Sequence, residues 1–418
     1  MSRQDTRTLG LAALGGALEF YDFIIFVYFA TVIGQLFFPP ELPDWMKQIQ
    51  TFGVFAAGYL ARPLGGIIMA HFGDRLGRKR MFTLSILMMA ISTLGMGLLP
   101  TYADIGLMAP VALLFLRLCQ GAAIGGEVPG AWVFVSEHVP PDRVGLACGF
   151  VTCGLTVGIL LGSLAATGLN LLFTEAEILE RAWRLPFLLG GVFGLVAVYL
   201  RRWLEETPVF KALQQRKALS DELPLRVVIR EHGQGVAISM ALTGLLSAGI
   251  IVLILMTPSI LQKFYGFDAA TALQANSLAT LFLSFGCILA GWTVDRLGSA
   301  RFFTLFSPLL GIMALVMFLV LRTEPSWLYP LSALVGLSVG VIGAVPHAMV
   351  RAFPASVRFS GLSASYNLAY AVFGGMTPIA VTMMLQASVL APAYYVLLFS
   401  AVGVGVGLYL RKSRRYDD

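Results

Sequence analysis

Reading the chain for runs of apolar positions gives twelve stretches, at 10–38, 48–72, 82–100, 107–135, 145–172, 185–203, 234–261, 270–294, 302–321, 327–349, 359–386 and 391–410. Each is long enough to cross a hydrocarbon core of about 30 Å as a helix. Several carry Gly and Pro, and there is little of the period-two alternation that a barrel strand requires. The pattern predicts an all-α membrane protein. The longest polar stretch, RRWLEETPVFKALQQRKALSDELPLRVVIREHGQG, begins at Arg201 and divides the helices into six and six. The expected organisation is an N-terminal six-helix bundle over 1–203, a cytoplasmic linker with a short surface helix over 204–233, and a C-terminal six-helix bundle over 234–418.

Composition agrees, with 57% hydrophobic and 12% charged residues and a mean hydropathy of +0.80, so a domain count from chain length does not apply. A net charge of +6 would suit a nucleic-acid binder only if it clustered, and it follows the helices instead. With the N-terminus inside, 22 of the 29 Lys and Arg are cytoplasmic, five lie on outer loops (Lys47, Arg181, Arg184, Lys263, Arg322) and two lie within helices (Arg62, Arg117). This positive-inside bias puts both termini in the cytoplasm, sets the basic tail RKSRRYDD against anionic lipid, and excludes nucleic acid as a partner. The opening MSRQDTRTLGLAALGG is basic like a signal peptide, but its apolar run continues through Glu19 and Asp22 to Phe38, so it is read as a retained first helix. Cys119, Cys148, Cys153 and Cys287 all fall in apolar stretches without CxxC spacing or a neighbouring His, which predicts packing residues and no metal site.

The two halves echo each other. HFGDRLGRKR follows the second helix and GWTVDRLGSAR the eighth, with Asp74 and Asp295 separated by 221 residues. Asp74 to Arg80 resembles the loop signature of the major facilitator superfamily, and Gly291, Asp295, Arg296 and Gly298 stand where that family repeats it. LEFYDF (18–23), ARPLGG (61–66), RLCQGAAIGGE (117–127), WRLPFLLG (183–190), RRWLEETPVF (201–210) and FPASVRFSGLSASYNLAYAVFGG (353–375) narrow the likeness to the metabolite:proton symporter branch, which includes citrate, oxoglutarate, shikimate and proline/betaine carriers. The resemblance spans nearly the whole chain. It implies two pseudo-symmetric bundles with substrate held between them near the midplane. It also implies that Asp74, Arg75 and Arg78, with Asp295 and Arg296 as the degenerate copy, form gating latches that pair with a neighbouring helix in one state and release it in the other. The chain departs from the branch pattern at Gly16, at Ala70 and at Arg351, where an acidic residue usually precedes the FP pair.

Five charged residues inside predicted helices need a reason, because each costs on the order of 2.5 to 3.5 kcal/mol at a helix centre. Spacing of three puts Glu19 and Asp22 on one face of the first helix. Arg62 lies on the second, and Arg117 and Glu127 on the fourth. Counting along the helices stacks them in one column, three acids against two bases. An odd buried carboxylate favours taking up a proton, and an anionic substrate at the arginines would strengthen that tendency. Glu19, Asp22 and Glu127 are therefore the expected proton-coupling groups, with Arg62 and Arg117 the expected substrate ligands. Glu127 has a competing role at a bend, since Pro129 follows it in GGEVPGA, and buried ion pairs that only pin helices would need the same charges. The second half carries no charge inside its helices, so its contribution must be neutral. The candidates are His347, Tyr366, Asn367 and Tyr370, with Tyr366 and Tyr370 on one face and Asn367 beside it, and the resemblance adds Tyr21 in LEFYDF.

No HExxH, GxSxG or P-loop is present, and the glycines of GGVFGLVAVYL lie in a predicted span with no strand before it. The expected protein is not an enzyme, needs no cofactor, and works as a monomer in a bacterial inner membrane. Its expected activity is proton-coupled uptake of a small carboxylate-bearing metabolite. Proton-coupled efflux of a drug-like or siderophore-like compound, and a non-transporting sensor on the same scaffold, are the alternatives.

Overall fold

The computed structural model describes residues 3–76, 78–201 and 224–413, while the side chains of a few helical positions, among them Glu19, Asp74, Arg75 and Arg78, lie outside the description. Twelve apolar helices account for almost all of it. In the first half, α1 (Arg3–Tyr28) breaks at Phe29 and continues as Ala30–Phe37. It is followed by α2 (Asp44–Leu76), α3 (Arg78–Leu98), α4 (Met108–Ser136) and α5 (Val144–Leu172). The last of this set, α6 (Arg184–Arg201), meets the turn before it at a 47° bend.

A short surface helix, Pro224–Glu231, leads into the second half. There α7 starts as Gly233–Ile250, widens into a π turn over Ile251–Met256 and ends as Thr257–Tyr265. The 52-residue run Ala269–Val320 is two helices, α8 (269–297) and α9 (299–320), parted at Gly298. Gly298 has φ 74°, a left-handed value at which a side chain would be strained, so a glycine belongs at this turn. α10 runs over Leu328–Val339, tightens to a 3-10 turn at Gly340–Ala344 and resumes as Val345–Arg351. Finally come α11 (Arg358–Leu385) and α12 (Ala391–Lys412).

Local chemistry sets the helix ends. Asp268 opens α8 by accepting from the Thr271 hydroxyl at 2.6 Å and its backbone N–H at 2.9 Å, and these bonds hold its carboxyl below the ordinary range. At the far end of α3, Arg184 donates to the carbonyls of Gly97 and Leu99, giving that helix end a cation where the macrodipole favours one. Small residues then let the helices close on one another. A Cβ added at Gly121 would lie 2.0 Å from the Gly58 carbonyl, and one at Gly125 would lie 2.2 Å from the Arg62 carbonyl, so α2 and α4 are in backbone contact. Gly286 and Gly340 do the same for α8 and α10.

The first six helices meet the last six along two seams. In one, α5 lies against α8, with Gly145 and Gly149 facing Gly291. In the other, α2 lies against α11, where Gly66 faces Ser363 and Asn367. An even number of crossings brings the described chain's two ends to the same face, hereafter the terminal face.

Candidate functional site

Arg62 and Arg117 are both fully buried, at 1% and 0% exposure. Each is wrapped in aromatic rings. The Arg117 guanidinium sits 4.0 Å from the Phe23 ring centre, 4.6 Å from Phe26 and 5.1 Å from Phe55. It also donates to the Phe23 carbonyl at 3.2 Å and to Gln120 Oε1 at 2.7 Å. Arg62 lies 4.4 Å from the Tyr370 ring and 5.5 Å from both Tyr59 and Tyr366. Contacts of this kind contribute about 0.5 to 2 kcal/mol apiece, so three rings offset much of the penalty for burying a guanidinium. They satisfy the charge without satisfying the donors, for Nε and Nη2 of both arginines have no hydrogen-bond partner. Among the described residues no acid pairs with either. Two like charges thus share an aromatic box with donors to spare.

The box closes across the α2–α11 seam. Tyr59 and Tyr370 stack at 5.6 Å with planes 10° apart, Tyr366 lies 5.2 Å from Tyr370, and Trp132 meets Tyr366 edge-on at 5.2 Å. Asn367 Nδ2 donates to the Gly125 carbonyl at 2.6 Å and to the Ser363 carbonyl at 2.8 Å, while its Oδ1 has no partner. Asn367 therefore ties α11 to α4 directly beside the box.

The expected column of charge is not what forms. Asp22 is wholly buried and neither of its carboxylate oxygens has a hydrogen-bond partner. They lie against Gly190 and Gly194 of α6, where a Cβ would come within 2.4 and 3.3 Å of them, rather than against the arginines. Among the described residues Gln120 links the two centres: it accepts from Arg117, and its Nε2 donates to the Asp22 backbone carbonyl at 3.3 Å and to Thr93 Oγ1 at 2.7 Å. Glu127 accepts a 2.6 Å bond from Ser85 of α3. α4 passes through Pro129 as one helix. The Glu19 side chain lies outside the described residues. Spacing of three fixes which helix face a pair occupies, but not which neighbour that face meets.

Two expected ligands stand elsewhere. Tyr21 donates its hydroxyl to the Pro186 carbonyl at 3.0 Å and packs edge-on to Phe193 at 5.3 Å, fastening α1 to α6 instead of entering the box. His347 belongs to the terminal face: Nδ1 is 2.9 Å from the Ser299 hydroxyl and Nε2 is 3.8 Å from Asp295 Oδ1. It sits three residues beyond the 3-10 turn of α10, and the sequence carries no sign of its partner on another helix.

Asp295 is the centre of that face. Its Oδ1 accepts from the Gly145 N–H at 2.6 Å and its Oδ2 from the Leu146 N–H at 2.8 Å. Both donors are in the first turn of α5, so a carboxylate at the end of α8 caps a helix of the other half, where backbone N–H groups lack partners and the dipole favours an anion. Arg296 takes no part and stacks on Trp292 at 3.8 Å. Asp74, Arg75 and Arg78, the more complete copy of the motif, lie outside the described side chains. Two further contacts that the motifs did not announce cross between the halves nearby: Arg351 donates to the Pro141 carbonyl at 2.9 Å, and Arg358 lies 3.3 Å from Glu137, which is buried. The first gives Arg351 a partner in the other half. Toward the opposite face the α5–α8 seam is held by neutral pairs, Thr156 with Ser284 at 2.8 Å and Ser163 with Ser277 at 3.0 Å.

A family model described as the Major Facilitator Superfamily matches residues 24–378. The chain belongs to that superfamily. Superfamily relatives include a putative proline/betaine transporter of Staphylococcus aureus (strain COL), 29% identical over 99% of this chain and 89% of its own length. A proline/betaine transporter of Escherichia coli (strain K12) is 28% identical over 97% of this chain and 83% of its own. In structure the chain is similar to the proton:xylose symporter XylE bound to 6-bromo-6-deoxy-D-glucose, with a TM-score of 0.81 at 17% identity over 98% and 95% of the two chains. The superfamily fold agrees with the twelve helices described above, and the chain is a multi-pass membrane transporter rather than an enzyme.

Proposed function

We propose that this transporter couples inward movement of protons to uptake of a small zwitterion that carries a carboxylate. Its two six-helix bundles, 1–203 and 234–418, rock about the α2–α11 and α5–α8 seams, with both termini in the cytoplasm of a bacterium. The observation that carries this reading is the pair Arg62 and Arg117, buried together with unpartnered donors and no acid among the described residues in contact. A carboxylate fits such a site because it brings one negative charge and can accept from a guanidinium edge in parallel. The aromatic faces of Tyr59, Tyr366, Tyr370 and Trp132 supply the other recognition element. Stacked rings bind methylated ammonium groups, and a carboxylate drawing Arg62 aside would free the Tyr370 face for one. The names of the proline/betaine relatives support the same class.

Asp22 is the proposed proton carrier. An intramembrane acid with no partner in one packing arrangement can hold a proton there and shed it when helix movement admits water. A proton entering along the membrane potential contributes about 2.3 kcal/mol per 100 mV to accumulation. Asp295 is the proposed latch, holding the terminal face shut in the arrangement seen here. Asp74, Arg75 and Arg78 are proposed to act with it, and Glu19 and Glu127 to support Asp22.

The deciding experiment is uptake into liposomes with an imposed gradient, acid outside, using glycine betaine, proline, succinate and citrate. Saturable accumulation of the zwitterions that collapses with a protonophore is expected. Arg117→Lys should lower their uptake at least tenfold, since a lysine cannot reproduce the stacked, forked donor set. Accumulation of the dicarboxylates alone, or transport indifferent to the gradient, would overturn the reading.

A further inference from the structure

The surface helix Pro224–Glu231 lies where three elements meet. It packs against α2, α7 and α11, and so touches both halves at the terminal end of the α2–α11 seam. Its eight residues are strongly two-sided: Val228 is fully buried, whereas Ile229 is 70% exposed and Arg226 and Arg230 are exposed. Between this helix and α2 runs a groove of about 590 Å³. Its walls are Ile67, Ile68 and Phe72 from the last turns of the membrane-crossing part of α2, and Leu225 and Ile229 from the surface helix. Ile68 and Phe72 are themselves 45% and 44% exposed.

An apolar groove at the end of a span opens onto lipid, so its chemistry is that of the bilayer boundary. The cation at its rim decides what fills it. Arg226 lines the groove and has no partner among the described residues, while Arg230 holds Glu231 at 2.5 Å and is partly neutralised. A basic group above exposed Ile and Phe matches the two ends of an anionic phospholipid, phosphate outward and acyl chain inward. A second groove on the same face repeats the arrangement, with Lys79 and Arg80 above Leu84 and Leu87 of α3.

We infer that the groove between α2 and the surface helix is a binding site for an anionic phospholipid, whose phosphate is held by Arg226 and whose chain lies on Ile68, Phe72 and Ile229. Because the surface helix touches both halves, the bound lipid braces the α2–α11 seam on the terminal face and favours the closed arrangement there.

The test is native mass spectrometry and thermal unfolding of the purified full chain in detergent, supplied with dioleoylphosphatidylglycerol or dioleoylphosphatidylcholine. The wild type should retain phosphatidylglycerol preferentially and unfold at a higher temperature with it than with phosphatidylcholine. Arg226→Gln should weaken that preference about fivefold, Ile229→Asn should weaken retention of both lipids, and Arg226→Lys should keep the wild-type behaviour. If Arg226→Gln keeps the full preference, the assignment is wrong. It is equally wrong if inorganic phosphate alone reproduces the stabilisation, since the site would then read the anion without the chain. A retained preference in Arg226→Gln that disappears in Lys79→Gln would move the site to the α3 groove and overturn this one.

Discussion

At the scale of single residues, the main surprise is that the buried acid and the buried bases occupy separate compartments of one bundle. Asp22 faces the glycines of α6, and the arginines face rings on α1, α2 and α11. This separation predicts separable defects. Asp22→Asn should abolish gradient-driven accumulation while leaving exchange of labelled for unlabelled substrate near the parent rate, and a variant still accumulating normally would remove Asp22 from the coupling role. Tyr370→Leu should instead weaken apparent substrate affinity, by roughly 2- to 30-fold if one ring face is worth about 0.5 to 2 kcal/mol, with the response to the gradient unchanged; a Km equal to the parent's would count against the box. The charges themselves were legible in the sequence, because nothing but function or pairing keeps an arginine in an apolar run. Their neighbours were only partly so. Tyr366 was marked by sharing a helix face with Tyr370, but Tyr59, one turn from Arg62, carried no signal beyond its aromatic character, and Tyr21 and His347 could be placed only once their partners on α6 and α8 were known.

At the scale of helices, glycine does most of the positioning. The α2–α11 seam is tightest at Gly66, where a Cβ would fall 2.4 Å from Asn367 Nδ2 and 2.8 Å from the Ser363 hydroxyl. Gly66→Ala should therefore hold the two helices apart. Overpacking of this kind typically costs about 1 to 3 kcal/mol, and here the two tightest clashes fall on the closed arrangement, with a looser one, 2.9 Å from the Gly125 carbonyl of α4, inside the first half. Thermal unfolding should shift little while transport drops several-fold; a variant with normal transport would mean the seam tolerates separation. The glycines of ARPLGG were visible as a motif, yet the sequence could not say that one of them faces the other half. The breaks within helices were harder still. The π turn at Ile251–Met256 lies in an unbroken apolar run, and its one sign in the sequence is Pro258 just beyond it, which offers no N–H to the Ile254 carbonyl and crowds it, while Thr257 Oγ1 donates to the Val252 carbonyl at 3.0 Å. In contrast, Gly298 was readable as a turn because a glycine closes the DRLG sequence between two apolar runs.

At the scale of the whole molecule, the halves are joined unequally. The terminal face has a carboxylate on a helix cap, an arginine on a carbonyl and an ion pair, whereas the far end of the α5–α8 seam has hydroxyl pairs. Asp295→Asn removes the charge from the cap and replaces one of its two accepting oxygens with an amide NH2, so one of the Gly145 and Leu146 N–H groups loses its partner, a loss of about 1 to 3 kcal/mol. It should shift the population toward opening at the terminal face. In a Cys119→Ser background, maleimide labelling of Cys153, which lies on the α5 side of the seam, should rise about tenfold, and unchanged labelling would show that the cap does not hold the face shut. The count of twelve helices was plain from hydropathy, since a lipid solvent writes directly into composition. How the halves fasten was only half written, because the degenerate Asp295 motif keeps the one group a helix cap needs and drops the basic residues that made the other copy conspicuous. The placing of that cap at the rim of the bilayer has a practical outcome. Were the proposed latch to part there, water would solvate both the anion and the freed amides, so no ion would be stranded in oil and the barrier to fastening and unfastening would stay low.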